Sequence, residues 1–229
     1  MLLLFDIDGT LVSGAAGAHR EAMGVALLEI HGVDAGAVRE RSWSSTAGRT
    51  DGEIARRILL DAGVSAERID DRAKEVRERC CEAYAQLCPD DLSHTVLPGM
   101  PALLRWLADR DGVRLGLLTG NFEPVARLKL RRAGIGHYFA AHQGAFGSDS
   151  EDRTALPAIA RRRAGSRGHP YPRERTIVIG DTPRDIACAR ADRVRCVAIA
   201  TGNYGVQELT GADAVAADAD ELRGALEEL

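Results

Sequence analysis

Hydrophobic positions along the chain fall into two patterns. Four short runs are apolar almost throughout: Leu2–Phe5, Val113–Thr119, Thr176–Gly180 and Arg195–Ala200. A strand with one wet face would alternate, so continuous runs predict strands covered on both faces, as in a parallel sheet. A weaker run near Tyr138–Gln143 and a short one near Ala212–Val215 predict two more. Between them the spacing becomes helical, over Pro101–Asp109, Pro124–Ala133, Leu156–Ala164 and Pro183–Ala191. Three of these segments begin with proline, where the missing N–H costs no hydrogen bond. Strand and helix in alternation predict an α/β fold.

One region breaks the alternation. From about Ala15 to His94 the pattern is helical, with no convincing strand. In Ala66–Leu87 the apolar residues Ile69, Ala73, Val76, Cys80, Tyr84 and Leu87 recur every three or four positions, which makes one adhesive helix face. Ala18–Ile30 and Glu53–Leu60 are its expected partners. The reading is a helical insertion of residues 15–95 within a sheet domain of residues 1–14 and 96–229, re-entered at Leu97-Pro98-Gly99.

Composition narrows the classes. At 229 residues, 45% hydrophobic and 28% charged, the chain reads as an ordinary globular protein large enough for a substantial core. A net charge of -4 and no basic run interleaved with aromatics argue against a nucleic-acid partner. The apolar opening ends at Asp6, too soon for a membrane span or a signal peptide. Five cysteines at irregular spacing suit free thiols in a reducing cytoplasm. A metal site from Cys80, Cys81, Cys88 and His94 has poor spacing, and helix packing is the better reading. Only Lys74 and Lys129 are lysines among 30 cationic side chains.

Ligands of open parallel sheets bind at the carboxyl ends of the strands, where this sequence places its polar residues. Asp6, Asp8, Gly9 and Thr10 follow the first strand, Thr119-Gly120-Asn121 the second, and Asp181-Thr182-Pro183-Arg184-Asp185 the run ending at Gly180. Two acids one residue apart point differently, so one can attack while the other handles protons or lends a carbonyl to a cation. A hydroxyl and backbone N–H groups ahead of a helix suit an anion. Each motif alone has an equally good structural reading. Aspartates favour turns, and Thr182 with Asp185 satisfies a capping box. Together they converge on one sheet edge, where carboxylates about 4 Å apart would repel by roughly 4 kcal/mol at an effective dielectric of about 20. Such a cluster demands raised pKa values or a cation, and a hard divalent ion with carboxylate and water ligands describes magnesium.

DIDGTLV, LLTGN, an isolated cation and IGDTPRD, in that order, resemble the motifs of the haloacid dehalogenase superfamily. The helical insertion resembles that family's helical type of cap, and the chain as a whole looks phosphoglycolate phosphatase-like. The resemblance implies a Rossmann-like parallel-sheet core with an inserted helical cap domain. It also implies that Asp6 attacks phosphorus to form an aspartyl-phosphate, while Asp8 protonates the leaving oxygen and then activates water. Thr119, Gly120 and Asn121 would hold the phosphoryl group. Asp6, the Asp8 carbonyl and Asp181 would hold Mg2+, with Asp185 binding or orienting that shell. The halide-displacing branch lacks the second acid, so Asp8 points to phosphoryl transfer. The family's usual phosphate-neutralising residue is a lysine, and neither lysine of this chain has its expected place, with Lys129 the alternative. Lys74 falls in the insertion and Lys129 in the second turn of a helix leading away. Arg153, after the weak strand and just before a helix with Pro157 near its start, has the place the resemblance implies for the phosphate-side cation. In the polar loop Ser42–Asp51, Arg49 is the candidate for a second anionic group on the substrate, against a surface arginine with Asp51 as N-cap. The six histidines show no spacing that suggests a site. The expected activity is hydrolysis of a small phosphorylated metabolite. The alternatives are a phosphomutase of the beta-phosphoglucomutase type or an inactive phosphate-binding module.

Overall fold

A computed structural model describes residues 1–36, 46–166 and 168–228. Six strands form one sheet: β1 (Leu2–Phe5), β2 (Arg114–Thr119), β3 (Ala145–Phe146), β4 (Thr176–Gly180), β5 (Arg195–Ile199) and β6 (Ala214–Ala216). They lie in the order β3-β2-β1-β4-β5-β6, and every pairing is parallel. Among the described residues eight α-helices accompany them: α1 (Gly17–His31), α2 (Asp51–Asp61), α3 (Ala66–Leu87), α4 (Met100–Ala108), α5 (Glu123–Arg132), α6 (Leu156–Ala164), α7 (Pro183–Asp192) and α8 (Ala219–Glu228).

The strands alternate their side chains between two cores. Leu3, Phe5, Leu117, Ile179 and Val197 belong to one, with Leu104 of α4, Val125 of α5 and Leu222 of α8. Leu2, Leu4, Leu118, Val178 and Cys196 belong to the other, with Ala160 of α6 and Ala189 of α7. Each strand residue is therefore covered whichever way it points, and this is why the runs are apolar throughout. The strand order reverses between β1 and β4, and the residues leaving those two strands meet there.

Helices α1–α3 lie between β1 and α4 in the chain, and no strand interrupts them among the described residues. Ile69, Val76, Cys80 and Tyr84 of α3 are buried with Ala22, Met23, Ala26 and Leu27 of α1, as the spacing predicts, although Ala73 is exposed. All five cysteines are free. The acids Asp6, Asp181 and Asp185 form the one group suited to a metal among the described residues, so Cys80, Cys81, Cys88 and His94 make none. No helix among the described residues is long and apolar enough to cross a membrane.

The weak strand expected at Tyr138–Gln143 is not there. Residues Gly136–Tyr138 make a 3-10 turn, and the strand runs over Ala145–Phe146 instead. His142 and Gly144 both take positive φ, 64° and 95°. A Cβ on Gly144 would lie 2.4 Å from the Leu117 carbonyl oxygen, so the chain turns tightly against β2 before it can pair. Helix α8 was not expected from the sequence pattern.

Two segments that reach the site, the turn holding Arg153 and the start of α7, are tied together at their far ends. Arg161 of α6 donates from Nε and Nη2 to Asp192 of α7 at 2.6 and 3.1 Å, and both residues are buried. Replacing Asp192 by Ala leaves a buried guanidinium with only the Tyr171 carbonyl as partner, a change that costs about 3–5 kcal/mol in comparable pairs. Denaturant unfolding is the measurement, and a loss below about 1 kcal/mol would show that the pair behaves as a surface contact.

Candidate active site

The carboxyl ends of β1, β2 and β4 open into a cleft of about 440 Å³. Its lining includes Asp6, Asp8, Thr119, Asn121, Arg153 and Asp181 from the sheet domain, with His19 of α1, Arg49 of the loop before α2 and Asp51 of α2 above. Most of the residues singled out in the sequence therefore do come together.

Asp6 follows β1 directly, and its N–H donates to the Ile179 carbonyl at 2.8 Å, fixing it against β4. Asp6 and Asp181 are each 4% exposed and Asp185 is fully buried. One oxygen from each lies within 4.8 Å of the others. Burial pushes the Asp6 carboxyl up to about 6; Arg153 opposes the rise, and Asp185 and Asp8 add to it. Burial, then the charges of Asp6 and Asp185, push Asp181 up to about 8. Two glycines make room for this group. A Cβ on Gly9 would lie 2.2 Å from Asp181 Oδ2, and one on Gly202 only 1.7 Å away. An all-oxygen donor set kept open by glycines, with its charge only partly compensated by Arg153, fits a hard divalent cation.

Arg153, in a short 3-10 turn before α6, is 6% exposed. Its Nη2 lies 3.1 Å from Asp6 Oδ1 and donates to Asp185 Oδ1 at 2.6 Å. Asp185 Oδ2 accepts from the Thr182 N–H and hydroxyl at 3.1 and 2.7 Å, completing the capping box that opens α7. Both oxygens of Asp185 are thus engaged, which makes it the anchor of Arg153 and of the helix start.

Lys129 overturns its expected position. Its Cα lies on α5, but its fully buried side chain turns back into the site. Nζ donates to both oxygens of Asp8 at 2.8 Å and to Asn121 Oδ1 at 2.9 Å. Burial alone would raise the Asp8 carboxyl, but the charge and hydrogen bonds of Lys129 outweigh it and hold it below the ordinary value. The Asp8 side chain keeps 38% exposure and stays open to the cleft. A sequence signal existed, because Val125, Ala126, Lys129, Leu130 and Ala133 share one helical face and a charge in that row has to find a buried partner.

The loop toward α2 is described from Thr46 on; Ser42, Trp43, Ser44 and Ser45 lie outside the described residues. Arg49 lines the cleft, and its Nη1 donates to Glu53. Thr50, not Asp51, is the N-cap of α2 and accepts from the Glu53 N–H at 3.2 Å. The Thr50-x-x-Glu53 spacing of a capping box carried that information. Asp51 is 3% exposed, and its Oδ2 lies 3.1 Å from His19 Nε2. Neither His19 nor Asp51 was picked out as a site residue from the sequence.

The model of the haloacid dehalogenase-like hydrolases matches residues 3–190. The chain belongs to that family. A phosphoglycolate phosphatase from Rhodospirillum rubrum is 31% identical over 202 residues, covering 87% of this chain and 79% of that protein. The crystal structure of a hydrolase from Pseudomonas syringae matches with a TM-score of 0.68 at 24% identity, over 99% of this chain and 98% of that one. A beta-phosphoglucomutase from Clostridium difficile matches with a TM-score of 0.70 at 19% identity, over 99% and 95% of the two chains. The two solved structures speak for the fold alone. The family and its curated relatives make this haloacid dehalogenase-like protein an enzyme, a phosphatase.

The raised carboxyls set a pH dependence for the metal-free enzyme. Asp6 and Asp181 hold protons in the folded chain up to about 6 and about 8, against 3.8 as the ordinary value. Between those limits the folded state binds more protons than the unfolded one, so their contribution to stability falls as pH rises. In EDTA the wild type is expected to lose more stability between about pH 5 and pH 8 than an Asp181→Asn variant. Equal slopes in urea titrations would contradict the crowding.

Proposed function

We propose that this haloacid dehalogenase-like enzyme hydrolyses a small phosphate monoester with the help of magnesium, through an aspartyl-phosphate on Asp6. The observation that carries the reading is the pair of cations assigned one to each acid. Arg153 lies against Asp6, and Lys129 grips Asp8. In this reading residues 15–95 form a helical cap over a core of residues 1–14 and 96–229, and five unpaired thiols suit a reducing cytoplasm.

Asp6, Asp181 and the Asp8 carbonyl would hold the cation, with Asp185 orienting them through Arg153. Bound magnesium would offset the repulsion between the anionic nucleophile and the substrate phosphate. An Asp6 oxygen attacks phosphorus, and the bond to the leaving oxygen breaks as Asp8 gives that oxygen a proton. Asp8 then takes a proton from water, whose oxygen attacks phosphorus and releases the Asp6 carboxylate with inorganic phosphate. Asp8 enters the first half protonated, and Lys129 favours the carboxylate it becomes on giving that proton up. This drives the first transfer and leaves Asp8 the base for the second half, where it regains a proton from water. Thr119, Gly120 and Asn121 cradle the phosphoryl oxygens, and Arg153 compensates the charge that gathers there. Arg49, above the cleft, is placed for a second anionic group on the substrate, as a phosphoglycolate-like substrate would carry.

Release of phosphate from an aryl phosphate with and without Mg2+ tests the reading. Mg2+-dependent release is expected, abolished in Asp6→Asn. Arg153→Ala should lower kcat/KM on the order of 10²–10³-fold, the cost of removing one preorganised charge-stabilising group. An Arg153→Ala enzyme with most of its activity would reject the cation assignment, and isomerisation of a sugar phosphate dependent on a sugar bisphosphate would favour a mutase.

A further inference from the structure

Asp51 occupies a place that capping α2 does not explain, since Thr50 already caps that helix. Its own N–H donates to the Gly120 carbonyl at 2.8 Å. Its Oδ2 accepts from the Phe122 N–H at 2.7 Å. One residue of the helical segment thus clasps the β2–α5 loop on both sides of Asn121, the residue that also receives Lys129.

The loop is shaped for this contact. A Cβ on Gly120 would lie 2.0 Å from the Arg49 carbonyl oxygen and 2.9 Å from the Thr50 Cα, so only glycine lets the two backbones approach. From below, the Gly147 N–H donates to the Asn121 carbonyl at 2.9 Å. The Asn121 N–H donates back to Thr119 Oγ1 at 3.3 Å. His19 Nε2 lies 3.1 Å from the same Oδ2 of Asp51, which fixes that oxygen from α1. The His19 ring in turn packs edge-on against Tyr84 of α3, with centroids 5.6 Å apart. All three inserted helices therefore bear on the placement of a single carboxylate oxygen.

We infer that Asp51 is a positioning residue for phosphate binding. It splints the Thr119–Phe122 loop from above, so that the phosphate cradle reaches its working geometry only while α1–α3 lie on the sheet domain. The inference rests on the proposed phosphoryl chemistry at that loop. Its physical basis is that a glycine-containing turn has many conformations to lose, and that small displacements of positioning groups cost catalysis far more than stability.

The test compares Asp51→Ala, Asp51→Asn and Glu151→Gln. Glu151 accepts from Arg56 Nε of α2 at 2.6 Å, and this bridge joins the helices to the sheet domain away from the cradle. Inorganic phosphate is the probe, followed both as a product inhibitor and through the amide NMR signals of Gly120 and Phe122. Asp51→Ala should weaken phosphate binding tenfold or more, lower kcat by a similar factor and shift both amides. Asp51→Asn keeps an oxygen for the Phe122 N–H and should restore most of each. Glu151→Gln should leave phosphate binding within about twofold, as a change outside the loop's own contacts. Unchanged phosphate binding in Asp51→Ala, or equal defects in the Asn and Ala variants, would overturn the inference. A wild type that binds phosphate with ordered loop amides but releases none from any ester would defeat the hydrolase reading alone.

Discussion

The structure depends on the crowding of carboxylates where β1 and β4 part. Asp6, Asp181 and Asp185 are buried at that point within a few ångströms of one another. Nothing in a globular core favours such a cluster, because burial and mutual repulsion both penalise the charged form. Its surroundings make it tolerable. Arg153 lies between Asp6 and Asp185, Thr182 takes up the other oxygen of Asp185, and Thr10 donates to Asp181 at 3.2 Å. What stays only partly compensated is the Asp6–Asp181 side, where Gly9 and Gly202 leave room.

The two buried cations of the site, Arg153 and Lys129, divide the compensation. Beside Asp6 the cation is an arginine, permanently charged, whose single terminal nitrogen Nη2 reaches both Asp6 and Asp185. Lysine suits the position beside Asp8 because a compact ammonium can reach along a buried stem and spread its donors over three acceptors. In a chain with 30 cationic side chains and only two lysines, one lysine has been placed where its geometry matters.

The helical segment takes part in this arrangement through backbone as much as side chains. The Thr50 hydroxyl donates to the Glu151 carbonyl at 2.7 Å, and Arg184 Nε to the Ala47 carbonyl at 3.1 Å. The close approach at Gly120 and Gly48 shows why small residues punctuate both sides of the contact. A Cβ on Gly48 would sit 2.5 Å from Thr182 Oγ1.

Local physics in the sequence was enough for the architecture. Runs apolar throughout identified β1, β2, β4 and β5, and helical spacing and proline placement identified α4 to α7 within a residue or so of their observed ends. The acids after β1 and β4 and the Thr119 loop were legible for the same reason, because strand ends in a parallel sheet point to one edge; Arg153 was picked out through the family resemblance. Where tertiary contacts decide, the pattern was silent or misleading. The strand β3 has only two residues, and its place is set by the close approach of Gly144 to β2. The direction of the Lys129 side chain, the partners of Asp51 and the approach of His19 depend on residues tens of positions away. The sequence by itself determined the fold class and which strand ends carry chemistry, because periodicity and strand polarity are local. Only the tertiary structure decided which cation serves which acid, because that depends on how the inserted helices and α5 pack over the sheet edge.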